Sequence, residues 1–271
     1  MLSLNDIIVI WGYKFIINND LDFFEQNGFL IKESLFSKRE VLKYVQDYDK
    51  IISQLKKSSD NINASWKSPI TKKIEPKNSE VIHTHHVQSY SSEMLSMIQH
   101  KNLLDVFESL VGPNIILHHS KLFLKPPKLG AAFPLHQDWS YFPTKNSSMI
   151  AAVVHLSDST ENMGCFRIIP SSNKLGKLEK SDGHSHNPKI HDKYTLESAT
   201  PIIAKRGDVL FFDALSLHGS LPNFSNKPRK TILIQVYSGT DEIIPGNKHT
   251  NIQLVLRGFN YQAKRKSVEN I

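Results

Sequence analysis

Gly112-Pro113-Asn114-Ile115-Ile116-Leu117-His118-His119-Ser120-Lys121-Leu122-Phe123-Leu124 marks a change of texture in the chain. The Gly-Pro pair is a strong local stop, and the apolar run behind it reads as a strand. Four more short runs follow, at 149–156, 166–169, 209–212 and 231–237, each bounded by Pro, Gly, Asn or Asp. Regular short strands with such punctuation predict a β-sandwich or barrel.

Upstream the period is helical. Residues 19–24 predict a short helix capped by Asn19 or Asp20 and ended by Gly28, with a short strand at 29–31. Ser37 opens a second helix, with Val41, Leu42, Val45, Tyr48, Ile51 and Leu55 at helical spacing. Residues 56–80 are polar and predict a loop; residues 91–111 predict one more helix, with Leu95, Ile98, Leu103, Leu104, Phe107 and Leu110 as its stripe. The polar gap from 171 to 200 holds His184, His186 and His191 and predicts a long loop, a candidate lid. The expected organisation is mainly β with flanking α, in a single domain over 1–271. It has a helical part at about 19–110, a β core at about 112–240 and a tail at 241–271 whose Lys264-Arg265-Lys266 is solvated.

Composition narrows the class. Of 271 residues, 39 % are apolar and 22 % charged, a globular mixture that excludes wholesale disorder and fibrous repeats. The formal charge of +7 favours an anionic ligand without choosing one. A single cysteine, Cys165, excludes a disulfide framework and a cysteine-rich zinc module. The apolar stretch at 7–17 is interrupted by Lys14, is shorter than the ~20 residues of a membrane span, and lacks a basic leader. A soluble, cytoplasmic protein with no membrane partner is expected. Thirteen histidines are the first sign of metal chemistry.

Pro134-Leu135-His136-Gln137-Asp138-Trp139 carries the chemistry. On an extended strand, residues i and i+2 share a face, so His136 and Asp138 point together while Gln137 points away. His218 follows the turn-and-strand run Gly207-Asp208-Val209-Leu210-Phe211-Phe212 and supplies a third ligand. Two imidazoles and one carboxylate on one face leave adjacent metal positions open, which suits Fe(II) with a bidentate co-substrate and O2. Arg229 opens the last strand, where an antiparallel return turns it toward the same pocket. Its guanidinium would clamp a distant carboxylate, with the Ser220 hydroxyl on the same side.

These motifs resemble the phytanoyl-CoA dioxygenase family. The likeness runs over about 20–240 through Asn27-Gly28-Phe29-Leu30, Val111-Gly112-Pro113-Asn114-Ile115, Leu124-Lys125-Pro126-Pro127, Pro134-Leu135-His136-Gln137-Asp138 and Tyr141-Phe142-Pro143. It continues in Asn162-Met163-Gly164-Cys165, Gly207-Asp208, and His218-Gly219-Ser220 with Arg229. The resemblance implies a double-stranded β-helix (a cupin-like jelly roll), an Fe(II) centre held by His136, Asp138 and His218, 2-oxoglutarate and O2. It further implies succinate and CO2 release, with a hydroxylated small-molecule product. It assigns the 5-carboxylate of 2-oxoglutarate to Arg229 and Ser220. It also makes His86, which falls where the family's name-giving enzyme has a co-substrate lysine, and Lys121, where that enzyme has methionine, candidate co-substrate contacts; Val154 stands where it has tryptophan. Ser171-Ser172-Asn173 replaces the usual Gly-Ser/Thr-His. These departures bear on the acyl-CoA substrate more than on the iron.

Three alternatives are weighed. A nucleic-acid demethylase would pair the clamp arginine with a second arginine six residues on, where this chain has Gln235, so no nucleic-acid partner is expected. A non-catalytic metal-binding β-barrel is disfavoured by the intact triad and clamp. A halogenase would lack the carboxylate that Asp138 supplies. His83-x-His85-His86 and the histidines at 184, 186 and 191 are read as loop or edge-strand residues, with His86 alone a candidate co-substrate contact.

Overall fold

The computed structural model describes residues 18–245 and 250–264. The apolar stretch at 7–17 and the tail residues Arg265 and Lys266 lie outside them. Helix α1 (Asn18–Asn27) ends at Gly28, whose φ of 80° is left-handed, and β1 (Phe29–Lys32) follows. Helix α2 (Lys38–Lys57) starts at a capping box: the Glu40 amide donates to Ser37 Oγ, and the Ser37 amide donates back to the Glu40 carboxylate at 2.8 Å. The helix expected over 91–111 is two, α3 (Ser92–Ile98) and α4 (Lys101–Val111). His100 stands extended between them, and its Nδ1 accepts the Asn102 amide, so it caps α4 instead of continuing α3.

The β core is two antiparallel sheets, as a double-stranded β-helix requires. The larger has the order β1-β8-β5-β10-β3-β11, with β2 also on β3; the smaller has the order β4-β9-β6-β7. The remaining strands are β2 (Ile82–His85), β3 (Ile115–Lys125), β4 (Phe133–His136), β5 (Ile150–His155), β6 (Phe166–Ile168) and β7 (Thr200–Ile202). They are followed by β8 (Val209–Asp213), β9 (His218–Ser220), β10 (Arg229–Ser238) and β11 (Leu254–Arg257). Strand β11 corrects the reading of 241–271 as a mere tail, because it pairs along β3 at Leu117 and Ile116. The gap at 171–200 is also more built than a free loop. Ile190, Leu196 and Ala199 are buried with Leu135 and Leu217.

Period-two alternation sorts the large sheet. Ile232, Ile234 and Val236 of β10, with Leu122 and Leu124 of β3 and Ile150, Ala152 and Val154 of β5, pack against the apolar stripes of α2, α3 and α4. The opposite face carries Arg229, Thr231, Leu233 and Gln235 on β10. Beside them stand Lys125, Phe123, Lys121 and His119 on β3, in register. His83 and His85 extend this face onto β2 opposite Phe123 and Lys121. The helices therefore wall one side, and the polar row faces the small sheet. Among the described residues no helix is long and apolar enough to cross a membrane.

His155 lies on the inner face of β5, and burial, followed by the charge of Arg229, pushes its pKa down to about 4. The ring is neutral in the folded chain and protonates near pH 6.5 when unfolded. Stability from the neutral ring is therefore complete above pH 6.5 and is lost as the pH falls toward 4, by roughly 3 kcal/mol. Urea midpoints of metal-free protein at pH 7 and pH 4.5 should draw closer together in His155→Leu than in wild type. Equal losses in the two would remove His155 from the account.

Candidate metal centre

Strand β4 ends at His136, Gln137 stays extended (φ −107°, ψ 131°), and a tight turn begins at Asp138. Strand β9 lies antiparallel to β4 with His218 opposite His136. One ligand atom from each of His136, Asp138 and His218 falls within 4.8 Å of the others, and all three residues are buried. The Nε2 atoms of both histidines lie 3.6 Å from Asp138 Oδ1. Each Nδ1 is set against a backbone carbonyl, His136 on Pro134 at 2.8 Å and His218 on Ser216 at 3.0 Å. Those contacts take the ring proton and leave each Nε2 lone pair aimed at the centre, the tautomer a metal requires.

The electrostatics agree. Burial, with the neighbouring His136, pushes His218 down to about 4, so the ring is neutral and ready to ligate. Burial alone would raise the Asp138 carboxyl. The pull of His218 and His136, with Lys121, outweighs it and holds the group below its usual value. Gln235 Nε2 donates to Asp138 Oδ2 at 2.6 Å, which turns Oδ1 toward the imidazoles. Losing such a support costs about 10–100-fold in metal affinity. Gln235→Leu is therefore expected to weaken metal binding by about that factor, read by metal titration, with the triad itself intact.

Gln137 does point away. Its amide donates to the carbonyls of Gly176 and Leu215, and its carbonyl accepts from the Leu178 amide and Ser181 Oγ.

The triad opens on a cavity of about 340 Å³ lined by Trp66, Phe133, Tyr141, Phe166 and Phe212, among others, with Arg229 and Ser220 also in its wall. Arg229 is buried. Its Nη1 donates to the Gly164 carbonyl, and its Nε has no hydrogen-bond partner among the described residues. Gly164 is needed there, with φ 63° and space for no Cβ, since one would meet the Leu221 carbonyl oxygen. Opposite Arg229 in register stands Lys125, fully buried, donating to Ser220 Oγ and to the Leu221 carbonyl at 2.7 Å each. Burial pushes Arg229 down to about 10 and Lys125 well below its ordinary value. Two cations facing across a ladder are unfavourable unless an anion joins them. This end of the cavity fits a carboxylate, as the orphaned Arg229 Nε also indicates.

The residues singled out from the sequence divide. His136, Asp138, His218, Arg229, Ser220 and Lys121 line the cavity. His86 does not: it sits in a left-handed turn just past β2, with His83 and His85 lining the wall instead. Val154 faces the helices, and its neighbour Val153 faces the cavity. Along β5 alternate residues face opposite sides, so Val153 and Val154 part company. His184, read as a loop residue, stacks on Trp66 at 4.8 Å over the cavity. Trp66 in turn lies 4.6 Å from the His136 ring. Lys125 was legible only as a lysine inside an apolar run before Pro126-Pro127, in alternation with Lys121.

The fold and this site define the class of double-stranded β-helix proteins with a His-Asp-His cluster able to hold a metal. Residues 24–231 match the model of one family in that class, phytanoyl-CoA dioxygenase. The chain belongs to that family. It is 28 % identical over 223 residues to the peroxisomal phytanoyl-CoA dioxygenase of Bos taurus, covering 78 % of this chain and 65 % of that protein. Thus it spans slightly under two thirds of that relative. It is also 28 % identical over 222 residues to a probable alpha-ketoglutarate-dependent hypophosphite dioxygenase of Stutzerimonas stutzeri, covering 76 % and 73 %. The epimerase SnoN, solved with Fe3+ and alpha ketoglutarate, shares the fold at a TM-score of 0.69 and 17 % identity, over 89 % of this chain and 98 % of that one.

Proposed function

We propose that the chain is an Fe(II)- and 2-oxoglutarate-dependent dioxygenase that hydroxylates a small anionic metabolite and releases succinate and CO2. The observation carrying this is one cavity with a buried His-Asp-His cluster and, at a separate position, buried Arg229 and Ser220 in its wall, Ser220 being held from behind by Lys125. His136, Asp138 and His218 would hold the metal. Arg229, through its fork, and Ser220, held by Lys125, would fix the far carboxylate of the co-substrate. Bound iron and 2-oxoglutarate supply the oxidising chemistry. The protein orients them, and Phe133, Phe166, Phe212, Val153 and Leu233 keep water from the cavity.

Size supports a small substrate. At about 340 Å³ the cavity is at the low end of the ~300–1,000 Å³ of ligand pockets, and the co-substrate takes part of it. A whole acyl-CoA would leave most of itself outside. The names of two relatives, a phytanoyl-CoA dioxygenase and a probable hypophosphite dioxygenase, support an acidic substrate, and the second a small one. A nucleic-acid substrate is disfavoured because Gln235 occupies the position six residues past Arg229 and is committed to Asp138.

Succinate formation is the test. Purified protein with Fe(II), 2-oxoglutarate and O2 is expected to form succinate slowly without substrate and faster with the right small acid, and to stop when a chelator is added. Stoichiometric iron binding with no succinate under any substrate would leave the non-catalytic binding protein as the correct reading.

A further inference from the structure

We propose that Lys121 binds the acidic head of the substrate, an oxyanion such as a phosphonate or carboxylate on a short apolar body. This makes it the residue that sets the substrate's charge. The inference rests on the oxygenase reading and extends it to the substrate's chemistry.

Position separates Lys121 from the co-substrate clamp. Lys125, Phe123 and Lys121 share one face of β3. Four residues of strand place Lys121 roughly 13 Å from Lys125 along the backbone, further than a five-carbon diacid reaches. Lys121 stands opposite Leu233, one inward row from Gln235, the residue that holds Asp138. It is therefore at the metal end of the cavity. His85 faces it across the ladder, His83 is one row away, and both line the same wall.

Charge makes the case stronger. The far carboxylate of the co-substrate would be met by Arg229 and by Ser220, which Lys125 holds. Lys121 is left over. Its ammonium rests 4.9 Å above the Phe142 ring and takes no hydroxyl or carboxylate partner among the described residues. Burial pushes it down to about 8, and Asp138 is the group that draws it back up, so it still carries charge at neutral pH. Half-buried in the cavity wall, the Lys121 ammonium makes no hydrogen bond or ion pair among the described residues, and an anionic substrate would give it one. The neighbouring Phe123, Phe133, Phe142 and Leu233 suit an apolar body beside that head.

The experiment uses the full chain loaded with Mn(II) and 2-oxoglutarate, and two probes, methylphosphonate and propionate. Binding is measured by calorimetry. Proximity to the metal is measured by paramagnetic relaxation of the probe's phosphorus or methyl protons. Wild type is expected to bind at least one probe saturably with strong relaxation, and the preferred probe identifies the head group. Lys121→Met should lose at least tenfold in probe affinity while Mn(II) and 2-oxoglutarate affinities stay within twofold. Lys121→Arg should keep most of the probe binding, which guards against a variant that merely misfolds. Absence of binding for both probes in loaded wild type overturns the proposal and leaves the oxygenase reading standing. So does probe binding that is unchanged in Lys121→Met, or a matching loss of 2-oxoglutarate affinity. Failure of wild type to bind Mn(II) and 2-oxoglutarate at all overturns both.

Discussion

Asp138→Ala and His218→Ala are each expected to bring succinate formation down by on the order of 10³ or more, beyond the 10–100-fold that loss of a supporting hydrogen bond costs. Both residues place a ligand atom in the same small volume, so either change leaves two donors where the geometry needs three. The fold should survive. In the metal-free chain Asp138 is a buried carboxylate flanked by two imidazoles and one amide, and its removal takes away a charge that burial disfavours. The discriminating measurement is thermal. Wild type should gain Tm on adding Fe(II) or Mn(II) anaerobically, as any ligand bound only by the folded state requires, and the variants should gain none. A variant that keeps the metal-induced shift and the turnover would remove that residue from the metal.

Arg229→Met is expected to weaken 2-oxoglutarate binding by about 10²–10³, since a buried charge partner is worth roughly 3–5 kcal/mol when it alone is removed. Arg229→Lys should fall between, because an ammonium keeps the charge and loses the paired fork. The apparent KM for 2-oxoglutarate is the readout, with metal affinity as the control. Melting of the metal-free protein gives a second. Arg229 and Lys125 face each other on neighbouring strands, so in protein freed of co-substrate Arg229→Met should not lower Tm through loss of attraction between them. Unchanged 2-oxoglutarate affinity in both variants would move the clamp elsewhere.

The five runs of the β core were legible because their apolar residues are bounded by Pro, Gly, Asn or Asp. The structure extends three of them by a residue or more: β3 to Lys125, β8 to Asp213, and β10 from Arg229 to Ser238. Strands β2, β4, β7, β9 and β11 are three or four residues long, and pairing with a neighbour, not a bounded apolar run, defines them. Only the ligand residues gave β4 away. The break between α3 and α4 was hidden because the apolar stripe continues across it while His100 takes a capping role. In the site, the triad and Arg229 were readable from spacing, since strands return side chains to one face at intervals that can be counted. The place of His86 was not, because the left-handed turn that carries it past the end of β2 leaves no mark in the spacing. Gln235 was read as an arginine that is missing. Its work, holding Asp138, lies in a contact across 97 residues.

Gln137 has a consequence for traffic into and out of the cavity. It sits between two ligands, and its side chain is fully spent on the backbone at 176, 178 and 215 and on Ser181. The segment roofing that side is thereby stitched to the peptide that carries His136 and Asp138, and lifting it would pull the ligands out of place. The same stitching continues through the Gly183 carbonyl, which accepts from Ser68 Oγ, so the roof that carries His184 over Trp66 moves only with the peptide beneath it.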